Sequence, residues 1–139
     1  MAQKKKFNNQ VEWRSVCPIC AALDVLGDKW TMLIVRDLII NGPRTYSELR
    51  ESPERISSNI LANRLALLTS LKIVERVNPR KSARNNAYKL TKGGESLRPV
   101  LESLGKWAHG HLKQYHRDMV SIDSDEEKKA PRRNFRNNS

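Results

Sequence analysis

Apolar residues recur at spacings of three and four along much of the chain, and residues that start or stop helices bound each stretch. In the first, SVCPICAALDVLGDKW, Pro18 suits a first helical position; Ile19, Leu23 and Leu26 form one side and Gly27 the stop. Asp28 is placed to cap a second helix, KWTMLIVRDLI, with Trp30, Leu33, Ile34 and Leu38 as its apolar stripe. Asn41-Gly42-Pro43 ends it. After a very short extended piece, Thr45-Tyr46-Ser47-Glu48 has capping-box spacing, with Leu49 facing inward. Ser52-Pro53 breaks the chain before the next helix.

That helix, Ser57 to Lys72, is the organising element. On a helical wheel Ile60, Leu61, Leu65, Leu67, Leu68 and Leu71 share one side. Ser58, Asn59, Ala62, Asn63, Ala66, Thr69 and Ser70 share the other. Ser57 can cap the start, and Ile56 can staple to Leu61. A solvated helix face normally carries long charged side chains; this one has none. Short side chains with two amides can enter a DNA major groove without clash and read base edges. A short helix, a break and a helix with a small polar face is the order of a helix-turn-helix.

Two short strand candidates follow, Val74–Val77 and Ala87–Leu90, separated by the turn-forming, basic NPRKSARNN. From Lys72 to Lys92 seven basic residues (Lys72, Arg76, Arg80, Lys81, Arg84, Lys89, Lys92) stand against Glu75, +6 of the chain's +11. A basic hairpin directly after a reading helix makes a winged helix-turn-helix, the wing gripping phosphate or an adjacent minor groove. The expected fold is mainly α with a small β-hairpin. Its expected DNA contacts are Ser57, Ser58, Asn59, Ala62, Asn63, Arg80, Lys81 and Arg84. A last helix, capped by Thr91 and running to about Arg117, carries Leu97, Val100, Leu101, Leu104, Trp107, Ala108, His111, Leu112 and Tyr115 at helical spacing. Pro99 near its start bends or delays it. The stripe exceeds what a small winged core needs, so the surplus is assigned to a homodimer interface at Leu97, Leu101, Leu104, Trp107, Ala108 and His111.

With 139 residues there is room for one domain. We assign residues 1–14 to a flexible basic arm including Lys4, Lys5 and Lys6, 15–117 to the folded domain, and 118–139 to a disordered tail. A formal charge of +11 suits a polyanion partner. No apolar run approaches a membrane span and no hydrophobic stretch follows the basic start, so the expected location is the cytoplasm, with no membrane partner. Two cysteines in a reducing compartment are not a disulfide framework.

Cys17 and Cys20 form C-P-I-C, without the preceding strand that redox motifs of this spacing follow. A zinc site needs two more ligands, and His109, His111 and His116 fall on a different helix; no metal is expected. Cys17, just before Pro18, stands at a helix start, where a thiol is reactive; a buried inert thiol is the competing reading. Arg64 falls on the apolar side of the reading helix. It either forms an internal ion pair, with Glu48 as a candidate partner, or reaches past the helix to phosphate; we expect the structural role. No catalytic constellation, phosphate loop or cofactor motif stands out, so neither enzyme activity nor a cofactor is expected.

GDKWTMLIVRDL, GPRTYSELRE, ISSNILANRLALL, IVER and YKLTKGGESLRPVLESLGKW, in that order and preceded by Cys17-Pro18, resemble the HxlR-type transcriptional regulators over about residues 15–112. The resemblance implies a homodimeric, MarR-related winged helix with N- and C-terminal dimerisation helices, an inverted-repeat DNA operator and no enzymatic activity. It also implies that the cysteine matching Cys17 senses oxidants or electrophiles in some members; Cys20 replaces a residue that is usually not cysteine. Two further departures stand out: RKSARNN replaces a proline-rich wing segment, and Lys72 occupies the usual position of a glycine ending the reading helix. Two other function classes remain: a thiol-disulfide redox protein built on Cys17 and Cys20, and a winged-helix protein-interaction module. The effector is not legible.

Overall fold

Local capping chemistry sets most of the element boundaries in the computed structural model, which describes residues 11–81 and 86–121. Helix α1 (Pro18–Leu26) opens with Pro18 in its first turn and closes where Gly27 donates its N–H to the Leu23 carbonyl at 2.8 Å. Helix α2 (Thr31–Asn41) starts at Thr31, with Trp30 as the cap residue. The Asp28 carboxylate nevertheless accepts the Trp30 and Thr31 N–H groups, each at 3.0 Å. Gly42, at φ +72, ends the helix in a conformation that favours glycine. Strand β1 (Arg44–Thr45) leads into α3 (Tyr46–Arg50) through a complete capping box. There the Glu48 N–H donates to Thr45 Oγ1 at 3.2 Å, and the Thr45 N–H donates to Glu48 Oε1 at 3.1 Å.

Helix α4 (Ser58–Ser70) is the expected reading helix, capped by Ser57, whose Oγ accepts the Ile60 N–H at 3.3 Å. It ends two residues before the expected Lys72 because Lys72 adopts φ +56. The Ile73 N–H then donates to Leu68 O at 2.9 Å and the Lys72 N–H to Thr69 O at 3.1 Å, a Schellman closure built without glycine. Strands β2 (Val74–Arg76) and β3 (Ala87–Leu90) complete an antiparallel sheet of order β1-β3-β2, with Val74 opposite Leu90 and Thr45 opposite Ala87. The expected hairpin thus gains a third strand from the piece before α3.

The core lies between α2, α3, α4 and the sheet: Ile34, Leu38, Leu49, Ile56, Leu61, Leu65, Leu68, Val74 and Tyr88. Ile56 and Leu61 share this cluster, as a hydrophobic staple requires. Leu61, Leu65 and Leu68 are at most 2% exposed, and burial of each stabilises the fold by roughly 1.5–3 kcal/mol. This fixes which side of α4 faces outward.

The last helix departs from expectation. Thr91 caps only a four-residue α5 (Lys92–Glu95), through the Gly94 N–H at 3.1 Å. Helix α6 (Arg98–Leu112) then restarts with Pro99 in its first turn. A proline there has no N–H for the Glu95 carbonyl and its ring crowds that oxygen, so one continuous helix is blocked. The helix stops at Leu112 rather than Arg117: Tyr115 and His116 both donate their N–H to Leu112 O, at 2.9 and 3.0 Å, and the Gln114 side chain takes His111 O. Among the described residues no helix is long and apolar enough to cross a membrane.

Candidate nucleic-acid interface and thiol helix

On the outward face of α4, Asn59, Ala62 and Asn63 are exposed, while Ser58, Ala66 and Thr69 are half-buried. Apart from that of Ser58, the hydroxyls are spent internally. Thr69 Oγ1 donates to Leu65 O and Ser70 Oγ to Leu67 O, each at 2.7 Å, and Ser57 Oγ serves the cap. Asn59 and Asn63, one turn apart, make no hydrogen bond to the other described residues, so their amides are the uncommitted donors and acceptors of this face. The short polar face reads as uniform in sequence; geometry singles out these two amides, with the half-buried Ser58 hydroxyl beside them.

Two side chains that sequence reasoning missed hold α4 at its angle. Tyr46 Oη, from α3, donates to the Ser58 carbonyl at 2.5 Å. Arg36, from α2, grips the segment before α4: Nη1 reaches Glu54 Oε1 at 2.5 Å, Nη2 reaches Glu54 Oε2 at 2.9 Å and Ser52 Oγ at 3.2 Å, and Nε reaches Asp37 Oδ1 at 3.0 Å. Hydrogen bonds from Arg36, opposed by partial burial and helped by Ser52 and the guanidinium charge, pull the Glu54 carboxyl down to about 2. The signal available in sequence was the Arg36-Asp37 pair inside an apolar helical stretch.

Arg64 also faces inward, but the expected partner is corrected. Its Nε lies 3.3 Å from Asp28 Oδ2, in the corner between α1 and α2. Glu48 is committed elsewhere, to the α3 cap and to Arg44 Nη1 at 2.6 Å. Arg64 Nε is buried without a well-formed hydrogen bond, so the contact is ionic. Burial works against ionisation of Asp28; hydrogen bonds from Thr31 and Trp30, with the Arg64 charge, outweigh it and hold the carboxyl below its ordinary value.

The wing begins with a turn at Asn78-Pro79-Arg80-Lys81, in which the Arg80 N–H donates to Asn78 Oδ1 at 3.1 Å and the Lys81 N–H to Asn78 O at 3.2 Å. Asn86, 2% exposed, locks its base: Oδ1 accepts the Asn78 N–H at 3.0 Å, and Nδ2 donates to the carbonyls of Asn78 and Lys81. Nothing in its local pattern distinguished Asn86 from the turn formers around it. Arg80 and Lys81 are exposed; Arg84 lies outside the described residues, as do Lys4, Lys5 and Lys6. An open cleft of about 610 Å³ separates the end of α4 from β2 and α5. Thr69 of the outward face lines it, together with the cations Lys72, Arg76 and Lys92.

Cys17 is the exposed cap residue of α1; its carbonyl accepts the Ala21 N–H at 2.9 Å. Cys20 is half-buried, with Sγ 4.0 Å from Asp24 Oδ2; both thiols are free. Arg14, assigned to the flexible arm, is instead tied to Asp24, which accepts its N–H at 3.1 Å and pairs with its guanidinium. Residues 118–121 of the expected tail are also described; 122–139 are not.

No residue of α1 or α6 is buried. On α6, Val100, Leu104, Trp107 and His111 are exposed, Leu101, Ala108 and Leu112, with the cap residue Leu97, are half-buried, and Trp107 stacks on His111 with centroids 5.7 Å apart. Tyr115, just beyond the helix, is exposed. Among the described residues no three His, Cys, Asp or Glu side chains gather as a metal set.

Residues 25–116 match the model of the HxlR-like helix-turn-helix family. The HTH-type transcriptional regulator YodB of Bacillus subtilis is 33% identical over 95 residues, 68% of this chain and 84% of that protein. The solved reduced form of YodB superposes with a TM-score of 0.59 at 32% identity, covering 72% of this chain and 98% of that one. Quinone-bound YodB gives 0.57 at 34% identity, covering 68% and 98%. The redox regulator HypR in its oxidised form gives 0.57 at 28%, covering 68% and 97%. The chain belongs to the HxlR-like helix-turn-helix family and is a transcriptional regulator of the HxlR/YodB type, with no enzymatic activity.

Proposed function

We propose that the protein is a cytoplasmic homodimer that binds an inverted-repeat operator, reads it through α4 and changes its binding when Cys17 meets an oxidant or electrophile. The observation that carries this reading is the uncovered α4 face, where Asn59 and Asn63 have amides without partners among the described residues. Ser57, Ser58 and Ala62 let the backbone come close to the groove, and Arg80, Lys81 and Arg84 contact phosphate. The uncovered stripe of α6 supports dimerisation through Leu97, Leu101, Leu104, Trp107, Ala108 and His111. Exposure of Cys17 at a helix start supports thiol chemistry, and so does the likeness to a regulator solved in quinone-bound form.

The test is to select genomic fragments with purified protein, then titrate variants on the recovered operator and on a scrambled duplex. Asn63→Ala loses about 1–3 kcal/mol on the operator and little on the scrambled duplex. Equal losses on both overturn the reading function. Leu104→Glu or Trp107→Glu places an uncompensated charge in the interface, and sedimentation then shows monomer or unfolded chain. A stable dimer that binds the operator normally overturns the interface. For the thiol, diamide or a quinone weakens operator binding by wild type and not by Cys17→Ser, and reductant reverses the disulfide formed by diamide. Unchanged wild-type affinity with Cys17 modified overturns the sensor.

A further inference from the structure

We infer that Arg64 is a positioning residue for the reading helix, acting through Asp28, and is not itself a DNA ligand. The inference rests on the reading function proposed above and adds what sets the angle of α4. Arg64 is the only cation in α4. It leaves the helix on the inward side, among Leu61, Leu65 and Leu68, and its Nε is buried 3.3 Å from Asp28 Oδ2. An arginine committed to phosphate would carry its whole head outward; here Nε turns inward to Asp28, although about a third of the side chain is exposed.

Asp28 is a fixed anchor. Its carboxylate accepts the N–H groups of Trp30 and Thr31, and the hydroxyl of Thr31, itself fully buried, donates to Oδ1 at 2.5 Å. Those bonds tie the carboxylate to the start of α2, one residue after Gly27 closes α1. The ionic contact therefore connects the α1–α2 corner to the middle of α4. The Arg36 network and Tyr46 hold the opposite approach, at the segment before α4 and at its first turn. The buried Leu61, Leu65 and Leu68 set which side of α4 faces outward, but apolar contacts are non-directional and leave it a small residual roll about its axis. Arg64 fixes that roll, and with it the direction in which Asn63, its chain neighbour, points.

The experiment uses full-length protein and the highest-affinity genomic duplex recovered by selection, with a scrambled duplex of the same length. Arg64→Gln removes the charge. Asp28→Asn keeps a side-chain oxygen that caps α2 and removes the other charge. Each variant loses about three- to tenfold on the selected duplex and little on the scrambled one, and the double variant loses no more than the worse single. Arg64→Lys recovers part of the loss. The salt dependence of binding keeps its slope in every variant, because no phosphate contact is removed. A role confined to folding would lower binding to both duplexes in step with the folded fraction, read by thermal unfolding of the same samples.

Besides that folding-only result, three results overturn the inference. In one, Arg64→Gln flattens the log–log salt slope by about 0.9, the signature of a lost phosphate contact. In another, Asp28→Asn leaves discrimination intact. In the third, the losses of the two single variants add. Wild-type protein with no preference for any duplex overturns the reading function itself and this inference with it; the three results above, obtained with wild-type preference intact, overturn this inference alone.

Discussion

Replacing Lys72 by glycine should make the protein more stable and a weaker DNA binder, and the two effects have separate origins. Lys72 sits at φ +56, where an L side chain crowds its own backbone at a cost of roughly 1–2 kcal/mol. Glycine removes that cost but returns about 0.4–1 kcal/mol through the greater freedom of the unfolded chain. The net gain is about 0.5–1 kcal/mol. For a domain of this size that is a rise in Tm of roughly 2–6 °C. The Schellman bonds and the 2.6 Å bond from the Thr91 hydroxyl to the Lys72 carbonyl use only the backbone of Lys72, so they survive. The side chain lines the cleft that continues the outward face of α4. If it neutralises one phosphate, its loss flattens the log–log salt slope by about 0.9 and lowers affinity about fivefold at 0.15 M salt relative to 1 M. Lys72→Gln separates the terms, because it keeps the strained φ and removes the charge: DNA binding falls as in Lys72→Gly while Tm stays near wild type. Scanning calorimetry and a salt series on one duplex measure both. A lower Tm for Lys72→Gly refutes the strain argument, and an unchanged salt slope refutes the phosphate contact.

Gly94→Ala would place a Cβ 2.2 Å from the Ile73 carbonyl oxygen and 2.9 Å from Leu90 Cδ2; forcing the sheet away from α5 should cost about 1–3 kcal/mol, read as a lower urea midpoint. Glu54, pulled from 4.5 to about 2, stabilises the fold above pH 4.5, and that contribution is lost as pH falls from about 4.5 to 2. The full gap corresponds to roughly 3 kcal/mol, but with a third of the side chain exposed about 1–2 kcal/mol is expected. Glu54→Gln should therefore be less stable at pH 7 and lose less than wild type on acidification; equal acid sensitivity of the two proteins would count against the Arg36 brace.

What sequence conveyed well was chemistry completed within a few residues. Pro18 and Gly27 bound α1, Thr45 and Glu48 close a capping box, and Ser57 caps α4, because donor and acceptor in each case lie within four positions along the chain. The apolar side of α4 was legible for the same reason, since 3.6-residue periodicity is local. Pairings across the fold were not. Arg64 was placed inward correctly, but choosing Asp28 over Glu48 needs the packing of α4 against the α1–α2 corner, which no spacing encodes. Asn86 resembles any turn asparagine until β2 and β3 pair and bury it over Asn78. The break at Ser96–Leu97 was half legible: Pro99 announced a disturbance, but periodicity continues across it, so the restart of α6 could not be read from the stripe.

The distribution of burial links the proposed sensing to the proposed assembly. The packed interior belongs to α2, α3, α4 and the sheet, and it keeps the reading helix in place. Helices α1 and α6 contribute no buried residue; Ile19 and Leu23 on the first, and Leu104 and Trp107 on the second, are each more than half exposed. Full coverage of one such side chain contributes on the order of 1.5–3 kcal/mol, so even partial coverage of all four by a second copy outweighs any one polar contact at the α1 surface. Cys17 stands at the start of α1, two residues from Ile19. A group added to that sulfur alters the surface on which assembly would depend, while the core behind α4 stays packed. Thiol chemistry would then act on DNA binding by changing how two intact reading helices stand relative to each other. It need not unfold either one.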